Sequence, residues 1–272
     1  MSQPSTRAAS RATVRAVLRL SALVLVLTSL AGCYFTRSPS RPVPALEFRR
    51  SSAGREHCLV VFVPGFLDGP DTFMDQGFPS DVITHGAPCD SVAIDLHYRY
   101  YWEAMSSSNG VANVVFDDFL EPAAARGYEE IWLVGISMGG LGALLTAERH
   151  PELITGVILL APYVGDEAVV REIEAAGGPS SWQPPHGLET APWTQDNYTA
   201  HLWSWLRAYQ TDPDGMPPLY VGWGDDDRLG AADRMLAALQ PSDHVATRPG
   251  GHNWATWRPL FDVLLDRARP GR

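Results

Sequence analysis

One serine lies in a glycine-rich pattern that suits nucleophilic catalysis. Ser137 is the centre of Gly135-Ile-Ser-Met-Gly139, which fits G-x-S-x-G. An apolar run precedes it and a run rich in Gly, Ala and Leu follows, which predicts a buried strand, a sharp turn and a helix. Such a turn lifts the hydroxyl out of the sheet, and the glycines leave room for its strained backbone. The sequence therefore predicts a serine nucleophile, with an ordinary glycine-rich turn as the alternative.

The elements that must position this serine alternate along the chain. Short apolar runs alternate with amphipathic ones, as in a parallel sheet covered by helices. The predicted strands are residues 58–63, 92–96, 131–136, 157–160, 219–223 and 245–248, with 46–50 as a possible edge strand. The predicted helices are residues 111–126, 138–150, 231–239 and 254–267. This order predicts an α/β fold.

The segment around Ser137, Gly-Ile-Ser-Met-Gly-Gly-Leu-Gly-Ala-Leu, resembles the nucleophile elbow of bacterial esterases in the α/β-hydrolase family. The resemblance covers about residues 46–269. It implies the α/β-hydrolase fold, with a mostly parallel central sheet flanked by helices. It also implies hydrolysis of carboxylic esters through an acyl-enzyme intermediate, without a cofactor. The serine argues against haloalkane dehalogenases and epoxide hydrolases, because those members have aspartate at this position.

The resemblance further implies an acid and then a base downstream of the nucleophile. The family acid stands three residues after a glycine and two before an aliphatic residue, a spacing that Asp227 fits after the strand at 219–223. Asp225 is the alternative. The family base lies in the loop before the last helix, where His252 follows two glycines. By this resemblance His252 accepts the proton of Ser137, and Asp227 orients the imidazole and stabilises the imidazolium.

Two backbone N–H groups should stabilise the developing oxyanion. One belongs to Met138, directly after the nucleophile. Family members usually show His-Gly-x after an early central strand, where this chain has Pro64-Gly-Phe66. The second donor therefore maps to the backbone of Phe66, with Leu67 next to it. Because the donor is a backbone group, proline in place of histidine does not exclude the function.

Aromatic residues are expected near the site at two places. One set follows the strand at 92–96, and the other lies in an insertion; they are Tyr98, Tyr100, Tyr101 and Trp102, and Trp182, Trp193 and Trp203. Trp203 falls off the apolar stripe of its predicted helix, which predicts that it faces either solvent or a ligand. His97, at a strand end, is a candidate pocket residue. Together these rings favour an apolar acyl or aromatic group in a small-molecule or lipid ester substrate.

The segment 164–217 breaks the strand–helix alternation. It contains a predicted helix at 166–176, a proline-rich loop and a second helix that starts near Thr194. We interpret it as a small cap inserted into one α/β-hydrolase domain at 45–272. The acyltransferase, amidase and peptidase activities of the same fold remain alternatives, as does a catalytically silent envelope lipoprotein.

The start of the sequence has the features of an export signal. Four arginines and no acid occupy residues 1–32, and an apolar run at 20–31 is too short for a bilayer span. The run ends Leu-Ala-Gly-Cys33, which resembles the lipobox of bacterial lipoproteins. This predicts a signal peptide at 1–32, a lipidated Cys33, a tether at 33–44 and a cell-envelope location on the inner or outer membrane. An ordinary signal peptide or an uncleaved anchor is the alternative.

Cysteine use fits the same compartment. Beyond Cys33 only Cys58 and Cys89 remain, and export would expose them to oxidising conditions. Each lies at or just before the start of a strand, and the family sheet makes these two strands neighbours. The resemblance therefore implies a possible Cys58–Cys89 disulfide. No Cys/His spacing suggests a metal site.

Composition excludes several classes of function. All 21 basic residues are arginine, so mechanisms that require lysine, such as a Schiff base or a P-loop, are excluded. The net charge is −10, and removal of residues 1–32 with their four arginines would make it −14. Such a charge argues against nucleic-acid binding.

Overall fold

The apolar runs of the sequence form the strands of one seven-stranded sheet. The computed structural model describes residues 37–51, 54–103 and 110–272. The strands are β1 Ala45–Phe48, β2 Cys58–Val63, β3 Cys89–Ile94, β4 Glu130–Ile136, β5 Gly156–Leu160, β6 Leu219–Gly224 and β7 Val245–Arg248. Their order is β1-β3-β2-β4-β5-β6-β7, with β1 antiparallel and all other neighbours parallel. The predicted α/β architecture is confirmed.

The inner strands are apolar because both faces of the sheet are covered. The helices are α1 Pro70–Asp75, α2 Phe78–Thr84, α3 Arg99–Trp102, α4 Val111–Val115, α5 Glu121–Ala125, α6 Met138–Arg149, α7 Glu167–Ala175, α8 Tyr198–Leu206, α9 Gly230–Ala237 and α10 Trp254–Ala268. Every residue of β2, β3, β5 and β6 is buried. Helix α6 packs on β2, β4 and β5, and α10 packs on β5, β6 and β7.

The predicted helix at 111–126 is not regular. Between α4 and α5 the chain forms a π-helical turn at Phe116–Leu120. Asp118 in this turn accepts hydrogen bonds from the backbone of Val43 and from the guanidinium of Arg41. The turn therefore ties the helical run to the segment before β1, a long-range contact that sequence periodicity cannot show.

Strand β3 begins three residues before the predicted start at 92. Its first residues, Cys89 and Asp90, pair with Cys58 and Leu59 of β2. Asp90 is buried, and its carboxylate accepts hydrogen bonds from the backbone of Arg50 and from the Tyr128 hydroxyl. The charged Asp90 is untypical of a buried strand, so the sequence did not indicate that the strand begins here. In the folded protein, donors from distant parts of the chain satisfy its carboxylate.

The segment 164–217 contains α7, α8 and three short 3₁₀ turns. The expectation that Trp203 faces solvent or a ligand is wrong. Trp203 is fully buried, and its indole N–H donates to the carbonyl of Val164. Trp182 is also buried, and its indole N–H donates to Glu172. Helix α8 buries residues on more than one of its sides. The apolar stripe in its sequence therefore identified only a part of the surface that packs against the protein.

Cys58 and Cys89 face each other at the first register position of β2 and β3, with Cα atoms 4.5 Å apart. They form a disulfide in the structure. Both lie at the amino-terminal edge of the parallel strands, opposite the edge that carries Ser137. Cys33 lies outside the described residues, so its lipidation stays a prediction.

The chain divides into two units, Met1–Pro39 and Ser40–Arg272, and the sheet and all the helices given above belong to the second. Among the residues that the structure describes, no helix has both the length and the apolarity needed to cross a bilayer.

Candidate active site

Ser137 occupies a sharp turn between β4 and α6. Its backbone has φ 53° and ψ −117°, a conformation that costs a non-glycine residue about 1–3 kcal/mol. Gly135 and Gly139 make the turn possible, because a Cβ on Gly135 would lie 2.5 Å from the carbonyl oxygen of Gly139. The Ser137 N–H donates to Leu160 and its carbonyl accepts from Tyr163. These hydrogen bonds and the close packing of the glycines hold the backbone of Ser137 in its strained conformation.

A continuous hydrogen-bonded chain runs from this serine to a buried carboxylate. Nε2 of His252 lies 2.9 Å from Oγ of Ser137. Nδ1 of His252 lies 3.0 and 2.9 Å from the two carboxylate oxygens of Asp227. The Asp227 side chain is fully buried and the imidazole is only 12% exposed. A carboxylate on Nδ1–H leaves Nε2 as the acceptor that faces the hydroxyl.

The structure separates Asp227 from its alternative, Asp225. Asp227 follows β6, and its carboxylate also accepts the N–H of Leu229 at 2.9 Å. Asp225 and Asp226 are exposed. Their backbone N–H groups donate to Arg248 and Gly250, which hold the acidic turn against the loop that carries the histidine. In this arrangement Asp227 is the carboxylate that contacts the imidazole.

The loop of His252 is fixed by close backbone packing. A Cβ on Gly224 would lie 2.1 Å from the carbonyl oxygen of Gly250, so β6 and this loop touch without side chains between them. Asn253 caps α10 by accepting the N–H of Thr256. The ring of Trp257 meets the imidazole edge to face at 4.8 Å. These contacts fix the orientation of the imidazole ring, with Nε2 facing Ser137.

The two predicted oxyanion donors lie on either side of the nucleophile. Met138 is the first residue of α6, directly after Ser137. Phe66 follows Gly65, whose added Cβ would be 3.6 Å from Cβ of Ser137. Leu67 has φ 68°, so the loop turns sharply at this point. Both predicted backbone groups therefore belong to segments that meet at the serine.

Sequence reasoning missed Asp68, which lies in the same loop. Its N–H donates to the carbonyl of Gly65. Burial raises the pKa of its carboxyl, while a hydrogen bond from Trp254 and the positive charge of His252 oppose that shift. The carboxyl group thus connects the loop after β2 to the start of α10. No pattern distinguishes it from an ordinary turn aspartate.

A second missed acid, Asp233, is fully buried on α9. Neither of its carboxylate oxygens accepts a hydrogen bond from the described residues. Burial raises the pKa of Asp233 well above its usual range, and the negative charge of Asp227 adds to the effect. The apolar residues around it in α9 could have indicated its burial, but not its proximity to Asp227.

The predicted aromatic set divides into core and surface residues. Tyr100 and Tyr101 are buried, whereas Trp102 is 60% exposed and Tyr98 is half-buried. His97, the candidate pocket residue, is also buried, and its Nδ1 accepts the N–H of Arg99. It therefore stabilises the start of α3.

In the insertion, Trp193 is half-buried and stacks on His201 at 4.7 Å. Across the described ranges, no cluster of three His, Cys, Asp or Glu side chains is arranged to hold a metal ion.

A family model described as putative esterase matches residues 120–267, which include Ser137, Asp227 and His252. No curated protein matches the sequence.

Solved structures show the α/β-hydrolase fold at low sequence identity. A ferulic acid esterase is 15% identical, with a TM-score of 0.58 over 83% of this chain and 91% of that one. An S-formylglutathione hydrolase from Agrobacterium tumefaciens is 14% identical, with a TM-score of 0.56 over 86% and 94%. Est1E from Butyrivibrio proteoclasticus is 14% identical, with a TM-score of 0.54 over 82% and 90%. At these identities the likeness establishes the fold alone.

Proposed function

Because the chain belongs to the putative esterase family, we propose that it hydrolyses carboxylic esters through an acyl-enzyme formed on Ser137. The hydrogen-bonded chain from Ser137 through His252 to Asp227 carries this proposal. A serine hydroxyl is a weak nucleophile at its own pKa and needs a base at this distance. The strained backbone of Ser137 and the buried carboxylate of Asp227 both destabilise the folded state, and packing of the core requires neither of them. Their presence therefore supports a role in catalysis.

In the acylation step, Oγ of Ser137 attacks the ester carbonyl carbon while Nε2 of His252 takes the hydroxyl proton. Asp227 stabilises the imidazolium that results. The N–H groups of Phe66 and Met138 donate to the oxyanion, and each such donor contributes about 3 kcal/mol to lowering the barrier. Collapse of the tetrahedral intermediate breaks the bond to the alcohol oxygen, which receives the proton from His252.

Deacylation repeats these roles with water. Nε2 of His252 takes a proton from water, and the resulting hydroxide attacks the acyl carbon. The second oxyanion collapses, Ser137 leaves with the proton held by His252, and the carboxylic acid departs. The enzyme is thereby regenerated without any other reactant.

The proposal extends to esters as a class. The similar structures named above include one called a ferulic acid esterase and one called an S-formylglutathione hydrolase, so both oxygen esters and thioesters belong in a substrate panel. Amides complete the panel, because the same three side chains also serve amidases.

The test is hydrolysis of p-nitrophenyl esters by the wild-type chain and Ser137→Ala. We expect the variant to lose about 10⁴-fold or more in kcat, because no nucleophile remains. Ser242→Ala, which changes an exposed serine outside the site, is the matched control. A fluorophosphonate probe should label the wild type at Ser137 only. Unchanged hydrolysis by Ser137→Ala, or labelling elsewhere, would refute the proposed nucleophile.

We also propose that Cys33 carries the lipid that holds the enzyme on the membrane of the cell envelope. The supporting features are the small residues before Cys33 and the proline- and serine-rich tether after it. Bacteria that express the chain and are grown with labelled palmitate should yield a labelled protein, and Cys33→Ser should not be labelled. An unlabelled wild-type chain, with its residues from 33 onward secreted in soluble form, would contradict the anchor.

A further inference from the structure

Three aromatic rings form an exposed strip beside the nucleophile, which we call the aromatic ledge: Phe66, Tyr98 and Trp102. The rings of Phe66 and Tyr98 meet edge to face at 6.1 Å, and those of Tyr98 and Trp102 do so at 5.7 Å. Phe66 is 41% exposed and Trp102 is 60% exposed. Two of the most exposed apolar side chains of the described chain therefore belong to one continuous strip.

The aromatic ledge begins at the reacting centre. Phe66 is the residue whose backbone is the second predicted oxyanion donor, and Gly65 before it lies against Ser137. A substrate bound at Ser137 is therefore close to the segment that carries the Phe66 ring. The ledge then leads away from Phe66 through Tyr98 to Trp102.

The far end of the ledge is held in place before any ligand binds. Tyr100 and Tyr101, two of the three residues between Tyr98 and Trp102, are buried, and the Tyr100 hydroxyl donates to the carbonyl of Ser40. The side-chain amide of Gln195 donates to the carbonyls of Tyr101 and Glu103 at 2.9 and 3.0 Å. Through Gln195, the insertion at 164–217 is thus hydrogen-bonded to the end of α3. A preformed surface loses little conformational entropy on binding.

The size of the strip favours a substrate group over a protein partner. Each ring presents at most about 150–250 Å², and only a part of each is exposed. The total is of the order of 300 Å², well below the roughly 800 Å² that each side of a stable protein interface buries. An alkyl chain or an aryl ring attached to the ester has the matching size and polarity.

We propose that the aromatic ledge binds the apolar group of the ester that Ser137 cleaves, and so makes the enzyme selective for esters with a medium-length alkyl or aryl group. This inference rests on the proposed function. Covering about 60 Å² of the ledge at about 25 cal/mol per Å² corresponds to about a tenfold gain in kcat/KM. The gain applies only to substrates long enough to reach Trp102.

The experiment compares short and longer esters in the wild type and Trp102→Ala. We expect the ratio of kcat/KM for p-nitrophenyl dodecanoate to that for p-nitrophenyl acetate to fall about tenfold in the variant. Trp102→Phe keeps a ring and should restore most of the ratio. Ile83→Ala is the matched control, because Ile83 is 41% exposed but lies in the last turn of α2, at the opposite edge of the sheet. It should keep the wild-type ratio.

A second series varies the alcohol, with dodecyl acetate against ethyl acetate. Loss of selectivity in the first series assigns the ledge to the acyl group, and loss in the second assigns it to the alcohol. A wild-type ratio in both series for Trp102→Ala overturns the inference while leaving the esterase activity intact. An equal loss for short and long esters overturns it as well. If the wild type hydrolyses no ester, the proposed function fails and the inference fails with it.

Discussion

Gly139 of helix α6 lies directly against the carbonyl oxygen of Val63 at the end of β2. A Cβ at position 139 would be 2.1 Å from that oxygen and 2.5 Å from the carbonyl oxygen of Pro64. The start of α6 and the start of the loop after β2 are therefore in backbone contact. Any side chain between them would change the distance between the serine and the backbone of Phe66.

We expect Gly139→Ala to destabilise the protein and to lower kcat. The backbone atoms in its path cannot rotate away, so the overpacking should lower the free energy of unfolding by about 2–3 kcal/mol. Urea unfolding measures the first effect and ester hydrolysis the second. Gly54→Ala is the control, because no atom of the described residues, apart from the chain neighbours of Gly54, lies within 4 Å of its added Cβ. Wild-type stability and rate in Gly139→Ala would contradict the close contact.

Asp227→Asn should separate geometry from charge in the candidate site. The amide has the same shape, but it favours the wrong imidazole tautomer and cannot stabilise an imidazolium, so kcat should fall by about 10⁴-fold. Asp225→Asn, two residues away and exposed, is the matched control and should remain within about twofold of the wild type. If Asp225→Asn is the slower enzyme, the acid has been assigned to the wrong carboxylate.

Local patterns predicted the parts of the site that depend on neighbouring residues. The glycines around Ser137 and the apolar run before it define a strand, a turn and a helix within about ten residues. The assignment of Asp227 and His252 came instead from resemblance to a family. Their contact joins positions 25 residues apart, which sequence spacing alone does not determine.

The predictions that failed depended on distant partners. The sequence predicts that Trp203 faces solvent or a ligand, but its indole N–H donates to the carbonyl of Val164 inside the protein. The start of β3 was missed because a charged residue such as Asp90 is untypical of a buried strand. In the structure the Tyr128 hydroxyl donates to its buried carboxylate. In both cases a polar group is buried in the core because its hydrogen-bond partner comes from a distant part of the sequence.

Removal of the Cys58–Cys89 disulfide should lower stability without changing the site. The bridge closes a loop of 31 residues, for which the loss of unfolded-state entropy corresponds to about 3–4 kcal/mol. Reduction, or the double change Cys58→Ala with Cys89→Ala, should lower the free energy of unfolding by this amount, and the urea midpoint should fall accordingly. Under native conditions kcat should stay near the wild-type value, because both cysteines lie at the edge opposite Ser137. Two alkylatable thiols in the native, unreduced protein would show that the bridge is absent.

Asp233 should make stability depend on pH. Burial and the charge of Asp227 raise the pKa of its carboxyl, so the folded chain holds this proton more tightly than the unfolded chain does. Its contribution to stability is therefore complete below the ordinary pKa of 3.8 and is lost as pH rises towards the raised value. The free energy of unfolding should fall through this range by up to about 1.4 kcal/mol per pH unit.

Asp233→Asn removes the titrating proton and keeps the shape of the side chain. Although burial of the amide has its own cost, stability relative to the wild type should rise as the pH increases above the ordinary pKa of 3.8, because only the wild type must bury an ionisable acid. Urea unfolding at several pH values measures the difference, and Asp214→Asn, an exposed aspartate, should show no such trend. If the difference between Asp233→Asn and the wild type does not change with pH above 3.8, the pKa of Asp233 is not raised in the folded protein.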